Sequence, residues 1–129
     1  MAASNSGPSG AGGGLGAKPW LLKDGTTTTS GGWAALDAGT GNVLWTTKDP
    51  QGSRAEAAVS LANGVVFGCN LAAGAGTMYA LDAGSGKPLW SYDSGAPCNA
   101  GPSIADGMVY WGSGTFQGTG SKKLYGFGF

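Results

Sequence analysis

The chain has 129 residues, seven basic and seven acidic side chains, and no histidine. That length holds one ordinary domain rather than two; the balanced, scattered charge offers no basic face to nucleic acid or an anionic membrane; and without histidine there is neither a C-x-x-C-H haem attachment site nor the commonest general base. Glycine, at 27 residues without a G-x-y period, excludes collagen and suits many tight turns between short strands.

The opening stretch, MAASNSGPSGAGGGLGAKPW, lacks the basic and apolar regions of a signal peptide, and no run approaches the roughly eighteen apolar residues of a membrane span. Residues 1–16 carry almost no side chain large enough to bury, so they are expected to stay disordered. Trp20, Leu21 and Leu22 are the first residues with anything to pack. Residues 1–30 together are read as a disordered or loop segment, and residues 31–129 as the folded part.

Residues 33–37 then form an expected strand, 38–42 a turn and 43–47 a returning strand. The polar stretch 48–55, with Asp49-Pro50 and Gln51-Gly52, reads as a loop. Strands are expected at 57–61 and 65–69 around Asn63-Gly64, the strongest short hairpin signal. A loop at 70–76 leads to strand 77–82, a turn, and a strand ending near Trp90. A polar loop follows, then Ser103 and Ile104, the turn Ala105-Asp106-Gly107, a strand at 108–112, a Gly-rich loop at 113–121 and a last strand at 123–127.

Two eleven-residue stretches organise this series: ALDAGTGNVLW at 35–45 and ALDAGSGKPLW at 80–90. Leu36 and Leu81, Asp37 and Asp82, and Trp45 and Trp90 each stand 45 positions apart, and Asn63-Gly64 recurs as Asp106-Gly107. A period of about 40 to 50 residues in strand-rich sequence marks a β-propeller with one four-stranded blade per period. The nine expected strands make little more than two blades, whereas closed propellers need about four or more. The expected fold class is therefore all-β, a partial β-propeller of about two and a quarter blades. The chain is expected to be incomplete alone, either the C-terminal part of a longer protein or one that closes by assembling with copies of itself. Pro88 fits an outermost strand, where a missing N–H costs little.

The pattern A-x-D-x-x-T-G-x-x-x-W, carried by Ala35, Asp37, Thr40, Gly41 and Trp45 and again by Ala80, Asp82, Ser85, Gly86 and Trp90, resembles the tryptophan-docking motif of the pyrroloquinoline quinone (PQQ) repeat family of eight-bladed propellers. Asn42 stands where that family usually carries lysine, which the second copy has as Lys87. The segments NAGPSIADGMVYWGSG and KLYGFGF resemble the C-terminal end of polyvinyl-alcohol-dehydrogenase-like quinoproteins. The residues themselves support a structural role. Asp37 and Asp82 can hold the turn through backbone N–H groups, Gly41 and Gly86 can take positive φ, and Trp45 and Trp90 can pack blade against blade.

The resemblance implies PQQ and Ca²⁺ as cofactors of the parent family, a small-molecule alcohol as substrate, the remaining propeller blades as partners, and a periplasmic or secreted setting. Over the propeller channel, the loops leading into the innermost strands place Arg54, Glu56 and Asn99 as candidate cofactor contacts, with Arg54 able to pair a quinone carboxylate. Trp111, where the preceding repeat has Gly68, is a candidate ligand-facing aromatic or a gap-filler. No catalytic base and no metal-ligand set can be named. Cys69 and Cys98 could pair if their Cα separation allows, but the simpler expectation is two separate, half-buried thiols. The leading functional expectation is the C-terminal portion of a PQQ-dependent alcohol dehydrogenase-like quinoprotein, inactive alone. The alternative is a non-catalytic propeller acting as a binding or assembly scaffold.

Overall fold

The computed structural model describes residues 2–5, 19–114 and 121–128. Among them are twelve strands and no helix. In chain order these are β1 (Ala2–Asn5), β2 (Trp20–Leu21), β3 (Thr27–Thr28), β4 (Gly32–Leu36), β5 (Val43–Lys48), β6 (Ser60–Ala62), β7 (Val65–Cys69), β8 (Thr77–Asp82), β9 (Pro88–Asp93), β10 (Ser103–Ala105), β11 (Met108–Ser113) and β12 (Lys123–Gly128).

The period becomes a row of antiparallel sheets. The middle blade is complete, in the order β6-β7-β8-β9; the third contains β10-β11-β12; the first is β1-β4-β5; and β2-β3 form a separate small hairpin. Local chemistry accounts for the tight turns. Asn63 (φ 48°) and Gly64 (φ 76°), and in the next blade Asp106 (φ 49°) and Gly107 (φ 73°), both take the left-handed region that a two-residue type I′ hairpin requires. The β4-β5 and β8-β9 hairpins share a register shift at the same point, Ala35/Leu36 and Ala80/Leu81. Strand β9 lies at a sheet edge, where Pro88 forfeits no ladder bond.

Two apolar clusters lie between the blades. The first joins Trp33, Ala35 and Trp45 of the first blade to Val66, Tyr79 and Leu81 of the second. The second joins Phe67, Met78 and Ala80 to Val109 and Trp111 of the third. Volume is exchanged between the two. The Trp33 indole lies so close to Gly68 that a Cβ there would fall 2.4 Å from its Nε1. One period later Met78 stands in place of Trp33, and Trp111 in place of Gly68, so the bulk moves to the other blade. Close packing of constant total volume explains the substitution.

Two parts of the segment read as loop or disorder are strands. β1 pairs antiparallel with β4, from Ala2 opposite Ala35 to Asn5 opposite Gly32. β2 and β3 pair at Trp20–Thr28 and Leu21–Thr27. The physical reason is that a ladder is made by backbone groups, which Ala and Ser supply as well as larger residues do. The Trp20 indole N–H donates to the Ser30 carbonyl at 2.8 Å and Leu22 is buried. Residues 6–18 of the expected disordered stretch, and 115–120 of the expected Gly-rich loop, lie outside the described residues. The strand expected at 57–61 begins only at Ser60.

Candidate functional site

Each motif turn is held by its aspartate. Asp37 Oδ1 accepts from the backbone N–H groups of Gly39 (3.0 Å) and Thr40 (2.8 Å) and from the Thr40 hydroxyl (2.8 Å). Asp82 Oδ1 accepts from the Ser85 N–H (2.7 Å) and hydroxyl (2.6 Å). These bonds favour the ionised carboxylates. The hydroxyls of Thr40 and Ser85, then the backbone donors, hold both groups below the usual aspartate value. Gly41 (φ 75°) and Gly86 (φ 74°) complete the turns.

The two motif tryptophans differ. Trp45, 5 % exposed, lies on the turn of the next blade, where its indole N–H donates to the Ala83 carbonyl at 2.8 Å. The adjacent Thr47 hydroxyl donates to the Gly86 carbonyl at 2.7 Å. A Cβ on Gly86 would meet the Trp45 ring at 2.4 Å, so only glycine fits beneath this indole. Trp90 is 39 % exposed, and its N–H has no partner among the described residues. It stacks with Tyr92 at 6.1 Å and meets Phe127 edge-on at 4.9 Å. A cleft of about 490 Å³ opens beside it, lined by Phe67, Ala80, Val109, Trp111 and Phe127 among others.

A second inter-blade contact is polar and repeats in phase. Asn70 Nδ2 donates to Asp49 Oδ1 at 2.8 Å and to Gln51 Oε1 at 2.7 Å, while its Oδ1 accepts from the Thr77 N–H at 2.9 Å. One blade on, the Ser113 hydroxyl donates to Ser94 Oγ at 2.8 Å. Asp49 and Ser94 occupy one repeat position and Asn70 and Ser113 another, so each blade end clasps the next. Residue-by-residue reading misses these four. Hydrogen-bonding side chains at matching phases were the available signal. Burial raises the Asp49 pKa, although Asn70 and the Ser53 N–H oppose the shift. Burial first, and then the charge of Asp49, pushes Tyr79 up to about 12.

Of the candidate cofactor contacts, Arg54, Glu56 and Asn99 lie on the two loops that run from the outermost strand of one blade to the first strand of the next, and Trp111 lies in β11. Arg54 donates through Nε to Glu56 Oε1 at 2.7 Å, and its Nη2 bonds the same oxygen, so the two charges engage each other. Asn99 is exposed on the other loop. Trp111 is fully buried, and its indole N–H donates to the Ala100 carbonyl at 2.8 Å. It packs edge-on against Phe67. These residues are not brought together, and among the described residues no three Cys, Asp or Glu side chains converge as metal ligands. With Arg54 committed to Glu56 and the Trp111 ring enclosed by core, the four do not by themselves fit a quinone, and no step is derived through one.

The expectation of two separate thiols is corrected: Cys69 and Cys98 form a disulfide, with Cα atoms 5.8 Å apart. The backbone sets that approach. The Cys98 N–H donates to the Asn70 carbonyl at 2.9 Å, which draws the loop between blades onto the end of β7 and within bridging range.

A four-stranded antiparallel sheet flanked in phase by two three-stranded ones, with two Asp-opened glycine turns and Trp45 docked on the turn of the next blade, has the pattern of a PQQ-repeat β-propeller. The chain belongs to the family described as outer membrane protein assembly factor BamB, whose model matches residues 29–123. Among solved structures, BamB from Moraxella catarrhalis is similar at 23 % identity and a TM-score of 0.53, over 74 % of this chain and 31 % of that one. The computationally designed Ika8 protein is similar at 15 % identity and a TM-score of 0.53, over 80 % of this chain and 29 % of that one. Both likenesses show the fold, and the chain spans about a third of each structure's length. No curated protein matches the chain.

Proposed function

We propose that the chain is a non-catalytic docking scaffold, a set of propeller blades that binds other polypeptides. The observation that carries this reading is the third blade. Among the described residues β12 pairs with β11. Beside it, Trp90, Tyr92, Tyr125 and Phe127 form a partly exposed aromatic row with neighbouring rings 4.9 to 6.1 Å apart. Aromatic side chains are enriched at protein interfaces. The family description, an assembly factor for outer membrane proteins, supports the same reading. The disulfide supports an oxidising compartment such as the periplasm.

The second reading is oxidation of an alcohol at PQQ and Ca²⁺ in a polyvinyl-alcohol-dehydrogenase-like parent. It is favoured by the placement of Arg54 and Asn99 on corresponding inter-blade loops. One pair of measurements separates the two. Titration with an unfolded outer-membrane β-barrel protein in dilute urea should give saturable binding. Addition of PQQ, Ca²⁺, a primary or secondary alcohol and an artificial electron acceptor to the full-length parent should leave the acceptor unreduced. Absence of binding, or reduction of the acceptor, would overturn the scaffold reading.

A further inference from the structure

We infer that the Cys69–Cys98 disulfide is a redox-sensitive latch on the loop 94–101, which leads from the second blade into β10. Oxidised, the bridge holds the loop against the end of β7. Reduced by a dithiol, it releases the loop and the Trp111 indole bonded to it, while the crossing from the first blade to the second stays closed. The two crossings share their main-chain bonds. The Asp49 N–H donates to the Gly31 carbonyl at 2.7 Å, and the Ser94 N–H to that of Gly76 at 2.9 Å. Likewise the Leu71 N–H donates to the Arg54 carbonyl, and the Gly114 N–H to that of Pro97, both at 2.8 Å.

Their side chains differ. The first crossing is fastened by the buried Asp49 carboxylate, which accepts from Asn70 Nδ2 at 2.8 Å and from the Ser53 N–H at 2.7 Å. Hydrogen bonds to an ionised group are roughly twice as strong as those between neutral groups. The second crossing has only neutral hydroxyls in that place: Ser113 donates to Ser94, which also reaches the Gly76 and Ala96 carbonyls. There the disulfide takes over the fastening. Cys98 stands where the matching main-chain bonds put Ala55 in the first crossing, and the place of Cys69 is taken in the next blade by Gly112. The bridge therefore belongs to the second crossing and to no other among the described residues.

What the latch controls lies next to it. Both cysteines are fully buried, in one cluster with Trp111, and the carbonyl that accepts the Trp111 N–H belongs to Ala100, two residues beyond Cys98. Asn99, Ala100 and Gly101 are exposed, and being small or polar they bury little apolar surface that would hold this part of the loop without the bridge. Since neither sulfur is exposed, exchange proceeds through the opened loop. A thiolate of the dithiol attacks one bridge sulfur, so that the S–S bond breaks as a mixed disulfide forms. The second thiol of the dithiol then displaces that cysteine. Two electrons pass to the protein, each cysteine sulfur ends with a proton, and the dithiol leaves as a disulfide. A disulfide oxidant reverses the step.

The test follows hydrogen exchange at the Trp45 and Trp111 indole N–H groups in the 129-residue chain, before and after reduction with dithiothreitol. Reduction should speed exchange at Trp111 about tenfold or more and leave Trp45 within about twofold, the mark of local rather than global opening. Iodoacetamide should then alkylate both cysteines without denaturant, and reoxidation of an unalkylated sample with oxidised glutathione should restore the protection of Trp111. The double replacement Cys69→Ala, Cys98→Ala should show the reduced pattern with no reductant present, and its Trp45 N–H reports whether that variant is folded. Protection of Trp111 that survives reduction would overturn the inference. So would loss of protection at Trp45 and Trp111 together, which would make the bridge a support of overall stability only, or failure of reoxidation to restore Trp111.

Discussion

Replacing Trp45 with alanine should destabilise the protein more than replacing Trp90, although both hold the same position in the same motif. Trp45 is 5 % exposed and Trp90 39 %. For a side chain of up to about 250 Å² this difference is about 80 Å² of apolar surface, or about 2 kcal/mol at ~25 cal/mol per Å². Trp45→Ala also removes the bond to the Ala83 carbonyl, a net contribution of about 1 kcal/mol. With the usual cost of about 3 to 5 kcal/mol for a buried tryptophan, Trp45→Ala should cost about 4 kcal/mol and Trp90→Ala about 1 to 2. Urea unfolding followed by circular dichroism, with the m-value unchanged, measures both. Costs equal within about 0.5 kcal/mol, or a larger cost at Trp90, would refute the assignment of one docked and one open indole.

Gly86→Ala should cost clearly more than Gly41→Ala: both glycines have positive φ, worth about 1 to 2 kcal/mol for another residue, but only at Gly86 would the new Cβ meet an indole. Paired denaturation curves compare them, and equal costs would contradict the packing of Trp45 on that turn. Reducing Cys69–Cys98, which are separated by 29 residues, should lower stability by about 3 to 4 kcal/mol on the loop-entropy estimate, and a denaturation midpoint unmoved by reductant would contradict the bridge. Tyr79 should ionise at about 12 in an ultraviolet titration, and ionisation at the ordinary tyrosine value of 10.0 would contradict its burial. Since its folded pKa lies above the ordinary value, stability should fall as pH rises from about 10 to 12. Asp37 and Asp82 have the opposite sign. Their lowered values give stability that is present above 3.8 and is lost as pH falls through the folded pKa. The double replacement Asp37→Asn, Asp82→Asn should therefore flatten the acid limb of the stability curve.

Much of the fold was legible because turn chemistry and period agree. Asn63-Gly64 and Asp106-Gly107 can both enter the left-handed region, and the 45-residue spacing of the motif placed each hairpin in a blade. Which tryptophan is docked was not legible, because Trp45 and Trp90 close copies of one motif and differ in what lies beneath them. The exchange of bulk between Trp33–Gly68 and Met78–Trp111 is likewise a property of facing blades, so Trp111 viewed singly kept a ligand-facing reading that its burial does not support. β1 carries no apolar alternation, and its ladder depends on backbone groups that every sequence has. The disulfide rests on the bond from Cys98 to Asn70, a contact across 28 residues that no local pattern announces. Of the candidate site, Arg54 and Asn99 were placed on the expected inter-blade loops, but the engagement of Arg54 by Glu56 was not foreseen.

The most direct test of the central claim, that the Trp45 indole is docked on the next blade and the Trp90 indole is not covered, is hydrogen exchange of the indole N–H groups by nuclear magnetic resonance. The N–H of Trp45, bonded to Ala83, should exchange slowly. That of Trp90 should exchange quickly in the dilute chain. Equally fast exchange at Trp45 and Trp90, or protection of Trp90 in the dilute chain without a partner, would contradict it.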